Sequence, residues 1–491
     1  MELGGDFIKR LWWFGAAALP AFALTAFAPQ TLGDGDTQWH VAAGRWIIAH
    51  HSVPTTDPFS FTFAGRPWHV HEWLSEVLYA SAFQGLGWAG VAALAGIAVA
   101  LAAGRMHLFL RERLSPLPAA LATLLAFACL APGLLARPHL LALPLLVIWA
   151  SVLLEARAQG RAPAPGWIVL MALWANLHGT ALFAAALAGW FAAEALVERP
   201  ADWRRTFARW TPFVAGSLLA LLATPRGLEG VVFLVRLTRM QSLTTVGEWQ
   251  PLDLTSWSAA QMLFWAGAAS LAWWRVRLPW TRAALLALLV AMTIAHQRHQ
   301  MLAATVGTLV WAEAVARACP LGKEPPIRAT FATLALVALA ACLLLRLALS
   351  AAPRETATNP QTALAHVPAS LRGRPVFNGY NSGGALIGAG IRPFIDGRTA
   401  LYGDAFNALA FGAEHGSPGA LDRVLRDWPI EWTFLPANSP AVAQLDRTPG
   451  WQRIYADPLI AIHRRSPTTL AVGKADGEGD RGATGVVVEG Q

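Results

Sequence analysis

"GDGDTQWHVAAGRW", Gly33 to Trp46, follows an apolar run from Leu11 to Pro29. Asp34 and Asp36 stand where that run would leave a bilayer, and an amphipathic stretch begins at once. On a helix, Trp39, Ala43, Trp46 and Ile47 share one side, while His40 and Gly44 lie on another. Such a helix would rest in the plane of the membrane interface. Asp36 and His40 are four residues apart and can face the same way. One acid before a helix serves as an N-cap. Two acids with a histidine one turn on exceed that role and point to chemistry at a membrane surface.

The surrounding chain makes Leu11–Pro29 a membrane helix. The 491 residues are 55% apolar and only 14% charged, where a soluble chain carries about 25% charged residues. A signal peptide is the rival reading of this run, but no small-residue cleavage site stands out and more apolar segments follow. Eleven spans are expected, near 11–29, 86–104, 117–134, 138–154, 164–177, 179–197, 210–224, 258–274, 281–295, 299–316 and 329–350. The 23 tryptophans suit residues at membrane interfaces. Cys129, Cys319 and Cys342 lie in or beside apolar runs and suggest neither a disulfide framework nor a zinc site.

Charge orients the spans. With the N-terminus inside, 17 Lys/Arg fall on the inner side and seven outside, and no inner loop breaks the pattern. The net charge of +8 is therefore a topology signal, and nucleic acid is not an expected partner. An odd number of spans places the C-terminus outside. Residues 1–350 then form the membrane domain, with a long first outer loop at 30–85. Residues 355–466 form a small external α/β domain, alternating apolar runs (Pro375–Asn378, Ile391–Asp396, Trp432–Pro436, Leu459–His463) with helix-like stretches such as Ala420–Asp427. The Gly-rich, charged tail, 467–491, reads as disordered.

The same topology sorts the polar residues. Nine of the ten histidines before residue 351 fall outside, His40, His71, His139 and His178 among them. Polar groups pressed against one side of a bilayer suggest a site there. In the first outer loop, "VPTTDPFS" makes a turn and "RPWHVHEWLSEV" opens another helix. His69, His71, Glu72 and Glu76 have a spacing that could serve a metal, although Glu72 and Glu76 also read as solvated helix-face charges. Four further outer features join them: "RPH" (Arg137–His139), "NLHG" (Asn176–Gly179), "TTVGEWQP" (Thr244–Pro251, with Glu248) and "HQRH" (His296–His299). Arg298 is the cation of that last tight turn, suited to a lipid phosphate through charge-assisted hydrogen bonds.

A first span, an acid at its outer end, an interfacial helix in a long loop, many further spans and an external C-terminal domain together resemble the GT-C fold of membrane glycosyltransferases. A sharper resemblance is to the catalytic subunit of oligosaccharyltransferase. "VFNGYNSGGALIGAGIRPFIDGRTALYGDAF" is laid out like that family's Trp-Trp-Asp-Tyr-Gly motif and the Val-Asp-Gly-Gly to Asp-Asn-Phe stretch after it. Asn381 and Gly383 match the first motif, Ile395, Asp396 and Gly397 the second, and Asp404 and Phe406 its end. "TVGE", Thr245–Glu248, resembles the T-I-x-E signature. The chain departs from the family at Gly379 and Tyr380, which replace both motif tryptophans, and at Asn381, which replaces the acid. Those family residues read the Asn-x-Ser/Thr acceptor, so the departures argue against protein N-glycosylation.

The resemblance implies sugar transfer from a polyprenyl-phosphate-type donor to an envelope glycan, lipid or protein on the outer face of a bacterial inner membrane. The expected catalytic residues are Asp36 and Asp34, with Asp36 as base and Asp34 orienting it or binding metal, and the sequence does not separate the two as the base. Substrate contacts are expected from His40, Arg137, His139, Asn176, His178, Glu248, Arg298, Asn381, Asp396 and Arg398. A divalent metal, the one cofactor suggested, would take Asp34, Asp36, His71 and Glu248 as ligands. The rival readings are a transporter or flippase for lipid-linked sugars and a non-catalytic envelope-assembly protein. A transporter would line its path with polar residues. Few charges fall inside the spans, apart from Glu194, Glu313 and Arg346 near their ends.

Overall fold

The apolar run that opens the chain folds as α1 (Glu2–Ala26) in a computed structural model that describes residues 2–318 and 328–466. The chain divides into two compact units, one of them Met1–Asp57 with Gly65–Arg354. In this unit follow α2 (Gly35–His50), α3 (Trp73–Arg111), α4 (Pro116–Leu130), α5 (Pro138–Ala158), α6 (Ile168–Leu177) and α7 (Ala181–Glu198). After these come α8 (Trp203–Ala220), α9 (Gly227–Leu237), α10 (Ala259–Trp273) and α11 (Trp280–Ala295). A π-helical turn, Ala303–Gly307, joins α12 (Gln300–Leu302) to α13 (Thr308–Val315), and α14 (Ala329–Ala348) ends the unit's helices.

Each of the eleven apolar stretches coincides with helix. Among the described residues, five helices are long and apolar enough to cross a membrane: α3, α4 with its extension to Gly133, α5, α7 and α14. The segments Pro165–Leu177 and Trp280–Ala295 are apolar but shorter.

Two features of this unit position the residues expected on the outer side. α3 starts well before the expected 86, because Gly87, at φ 58° and ψ −151°, lets the chain break direction between an arm at 73–86 and the apolar segment beyond. The arm carries Glu76 and packs on α2. At that contact a Cβ on Gly44 would fall 1.9 Å from the Glu76 carbonyl oxygen, so only glycine allows the two backbones to meet. Below, α5 is buried along nearly its whole length, and Trp149 donates to the Ala184 carbonyl of α7 at 2.9 Å. Charges near the helix ends are partnered. Glu194 lies 3.1 Å from Arg157 and 2.7 Å from Arg282, Glu313 lies 2.8 Å from Arg113, and Arg346 donates to backbone carbonyls. Glu194 and Glu313 sit in closed ion pairs and Arg346 is held by carbonyls, which is not the pattern of a polar path.

The second unit comprises Pro58–Ala64 and the chain from Glu355. Its elements are α15 (Gln361–Ala365), α16 (Ala369–Arg372), β1 (Val376–Asn378), α17 (Gly383–Gly388), α18 (Thr399–Glu414), α19 (Ala420–Asp427), β2 (Trp432–Pro436), α20 (Pro440–Leu445), β3 (Trp451–Ala456) and β4 (Ile460–Arg465). The sheet order is β1-β2-β4-β3, with β1 and β2 parallel and the other pairs antiparallel. Ile391–Asp396, expected as an apolar run of the sheet, is a buried loop. Asn378 holds it: its Oδ1 accepts from Phe394 N at 2.8 Å and its Nδ2 donates to the Ile395 carbonyl at 2.8 Å. The strand β3, Trp451–Ala456, is largely exposed. The expected turn, 53–60, runs on into Phe61–Ala64, where Phe63 packs edge-on to Tyr402 and Phe406 at 5.0 and 4.9 Å. The tail expected to be disordered, 467–491, lies outside the described residues.

Candidate active site

Asp34 and Asp36 take different positions at the start of α2. Asp34 has extended backbone, and its Oδ1 accepts from Asp36 N at 2.7 Å, so it is the helix N-cap. That leaves the Asp36 carboxylate for other partners. Its Oδ1 accepts from Trp39 Nε1 at 2.9 Å and its Oδ2 faces Arg137 Nη2 at 2.9 Å.

Arg137 immediately precedes α5. Ala136 N donates to the Thr31 carbonyl at 2.7 Å and Tyr79 OH donates to the Arg137 carbonyl at 3.0 Å, which fixes the backbone there. The Arg137 Nη1 lies 3.1 Å from Glu248 Oε2 and 3.7 Å from Asp34 Oδ2. Glu248 in turn receives Arg298 Nη1 at 3.2 Å on its other oxygen. The Arg298 guanidinium sits 4.1 Å from the centroid of the Trp249 ring. The two loops that carry these residues are joined by backbone: Gln297 N donates to the Gln250 carbonyl at 2.9 Å, and His296 Nδ1 lies 2.7 Å from the Trp249 carbonyl. Acid and arginine therefore alternate, Asp36 to Arg137 to Glu248 to Arg298, from four distant segments of the chain.

The two carboxylates of this string behave oppositely. Burial pushes Asp36 up to about 7 against the pull of Arg137, and Asp34 and Glu248 add to the push. Burial acts on Glu248 the same way, but Arg137 and Arg298 overcome it and hold that carboxyl at about 2. One acid is poised near neutrality and the other stays ionised.

A second cluster lies beside the first. Glu72, just before α3, has His178 Nε2 at 3.2 Å and His71 Nε2 at 3.6 Å. Burial raises Glu72 above the usual carboxylate range, and burial holds His178 well below the usual histidine range. The ring of His139 is 6.3 Å from that of His178, and its Nε2 lies 2.7 Å from the Gly133 carbonyl. Neither Glu72 nor Glu76 is the solvated charge expected. Glu76 is buried with His40, whose Nδ1 is 3.4 Å away, so that pair ties α2 to α3. Asn176 spends its amide on structure: it accepts from Trp73 Nε1 at 2.7 Å and donates to the carbonyls of Ala172 and Ala223 at 2.8 and 2.7 Å.

No protein family matches this sequence, and no curated protein matches it. Solved structures do. The chain superposes on archaeal oligosaccharyltransferase AglB from Archaeoglobus fulgidus in complex with an inhibitory peptide and a dolichol-phosphate (TM-score 0.53, 11% identity, 86% of this chain and 69% of that one). It also superposes on the Archaeoglobus fulgidus enzyme in its apo form (0.52, 12%, 86% and 69%) and tethered to an acceptor peptide containing the NVT sequon (0.54, 12%, 87% and 69%). The fold is that of an oligosaccharyltransferase, GT-C.

On this GT-C frame the expected metal ligands can be tested. Among the described residues, no three His, Cys, Asp or Glu side chains are grouped to hold a metal ion. The carboxylates of Asp34, Asp36 and Glu248 converge on the Arg137 guanidinium, and His71 lies beside Glu72 instead. The donor set does not fit a divalent ion.

The remaining expected residues belong to the second unit. Asp396 and Arg398 form a buried bidentate pair at 2.8 and 2.7 Å, and Tyr402 OH donates to the same carboxylate at 2.6 Å. That arrangement braces a loop. Asn381 is exposed on a short turn, Tyr380–Ser382. Sequence reasoning missed Trp39 and Trp249 as site residues. The one signal available was their position beside an acid, three residues after Asp36 and next to Glu248.

Proposed function

We propose that this chain is an integral-membrane glycosyltransferase of eleven spans, N-terminus inside, acting on the outer face of a bacterial inner membrane. It moves a sugar from a polyprenyl-phosphate-type lipid to an envelope acceptor. The observation that carries this reading is the alternating string of Asp36, Arg137, Glu248 and Arg298 on a GT-C frame.

Asp36 takes the proton of the acceptor hydroxyl as that oxygen attacks the anomeric carbon and the bond to the donor phosphate breaks. A base titrating near 7 suits this step, because it is ionised in part at neutral pH and still basic enough to take a proton. Asp34 holds the first turn of α2 and thereby aims Asp36. Arg298, spread on Trp249, supports the charge that develops on the departing phosphate. Glu248 holds both arginines in place.

The acceptor is a hydroxyl compound rather than a sequon peptide. A Cβ at Gly379 would fall 2.8 Å from Pro436 Cδ and 2.9 Å from Glu414 Oε1, so no side chain fits where the resembled motif has its first tryptophan. Tyr380 OH is committed to Thr399 Oγ1 at 2.5 Å.

The test is transfer in vitro from a polyprenyl-phosphate sugar. Loss of turnover in Asp36→Asn is expected, and near wild-type turnover in that variant overturns the role of Asp36. Envelope glycans of a deletion strain, read by mass spectrometry, should lack one sugar.

A further inference from the structure

We propose that Arg137 is the built-in cation of this site, its guanidinium standing where a divalent ion would bridge Asp34, Asp36 and Glu248, so that the chain works on its donor without such an ion. The clause about the donor rests on the proposed glycosyl transfer. The cation assignment rests on geometry alone.

Three carboxylates from two distant segments surround one guanidinium, with oxygens 2.9, 3.1 and 3.7 Å from the two terminal nitrogens of Arg137. Carboxylates gathered this way in a part-buried place need positive charge between them. A divalent ion would supply it by drawing oxygens to roughly 2.0–2.6 Å. Here a planar guanidinium lies among the same carboxylates, with the Asp36 and Glu248 oxygens at hydrogen-bond distance and that of Asp34 at 3.7 Å, and it stays charged at every accessible pH. The arginine has not fallen in from a mobile surface. Its peptide is pinned on both sides, by Ala136 to Thr31 and by Tyr79 to its carbonyl, and its side chain is mostly covered. An added dication would meet Arg137 and Arg298 together, both already on Glu248. The fourth expected ligand, His71, stays beside Glu72.

Arg137 also has what the reaction asks of a cation. A guanidinium fork pairs with phosphate oxygens as readily as with carboxylates. As Asp36 takes up the acceptor's proton, its hold on Arg137 weakens, and a phosphate leaving the sugar becomes the better partner.

The experiment uses the full-length chain in detergent or nanodiscs and titrates Mn²⁺, read by its free-ion paramagnetic resonance signal. Wild type is expected to bind no stoichiometric Mn²⁺ at micromolar concentration. Arg137→Ala, which leaves Asp34 and Asp36 without their cation and Glu248 with Arg298 alone, is expected to gain one Mn²⁺ per chain, lost again in Arg137→Ala/Asp36→Asn. Stoichiometric binding by wild type that disappears in Asp36→Asn overturns the proposal. So does a folded Arg137→Ala that gains no Mn²⁺. Where Arg137→Ala does not fold, the wild-type titration decides by itself. In a second arm, transfer from the polyprenyl-phosphate sugar should be unchanged by EDTA, and activity abolished by EDTA and restored by Mn²⁺ overturns the proposal. The titration reads whether or not transfer is detected, so failure of the glycosyl-transfer reading leaves this result distinguishable.

Discussion

At the residue scale, two acids two positions apart do different work, and substitutions can separate them. Asp34 caps α2, so Asp34→Ala should cost about 1 kcal/mol of stability, while Asp34→Asn, which still caps, should leave the melting temperature nearly unchanged. Asp36→Asn should keep the fold and lower turnover by about 10²–10⁴-fold, the usual worth of a positioned base. Stability against denaturant and turnover, measured on the same preparations, check the pair. Since Asp36 is pushed up to about 7, kcat/KM should rise from pH 6 to 8 with an inflection near 7. Stability runs the other way. Keeping Asp36 neutral favours the fold fully below its ordinary value near 4, and that advantage is lost as pH rises through 7, so Asp36→Asn should become relatively more stable than wild type as pH increases. The acids, Glu248 and Arg298 were legible in the sequence because all four lie on one side of the membrane by charge counting. The centrality of Arg137 was not. Its partners are about 100 residues away in either direction along the chain, and nothing local distinguishes an arginine at a helix lip from a snorkelling one.

At the element scale, the site depends on how closely α2 lies on α3. Gly44 is the point of contact, and a Cβ there would meet the Glu76 carbonyl at 1.9 Å and Ala80 Cβ at 2.7 Å. Gly44→Ala should push α2 away, destabilise by about 1–3 kcal/mol as overpacking does, and lower turnover by about 10²-fold if Asp36 moves by about 1 Å. Arg45→Ala, next door but exposed, should change neither. A thermal melt and an initial rate on both variants check this. The amphipathic reading of α2 found the helix and its tryptophan side. It did not find that the opposite side, with Gly44 and His40, is also buried, because a helix enclosed on both sides, with Trp39, Ala43 and Ile47 buried as well, lacks the polar contrast that marks a surface helix. The sheet of the second unit shows the same limit. β2 and β4 are buried and apolar, so they were legible, whereas β3 is an exposed edge reading WQRIYA. Ile391–Asp396 had the composition of a strand, yet Asn378 supplies its backbone partners from a side chain.

At the scale of the whole molecule, the proposal rests on sidedness: the site must face outward if a lipid-linked sugar is to reach it with its chain in the bilayer. All eleven apolar stretches are helical, but among the described residues five helices satisfy length and composition outright, so the eleven crossings proposed here rest on apolar patterning and the positive-inside count rather than on helix length. That count places the loop between α7 and α8, with Arg199, Arg204 and Arg205, inside, and the loop between α9 and α10 outside. In a chain whose own cysteines are replaced, single cysteines at exposed positions can read both. Ser256→Cys and His415→Cys should react with a membrane-impermeant maleimide in intact spheroplasts, and Ala201→Cys only after permeabilisation. Labelling of Ser256→Cys without His415→Cys would mean an even number of crossings between α1 and α14. Labelling of Ala201→Cys from outside, with Ser256→Cys protected, would turn the Asp36–Arg298 string toward the cytoplasm, and transfer on the outer face would fall with it.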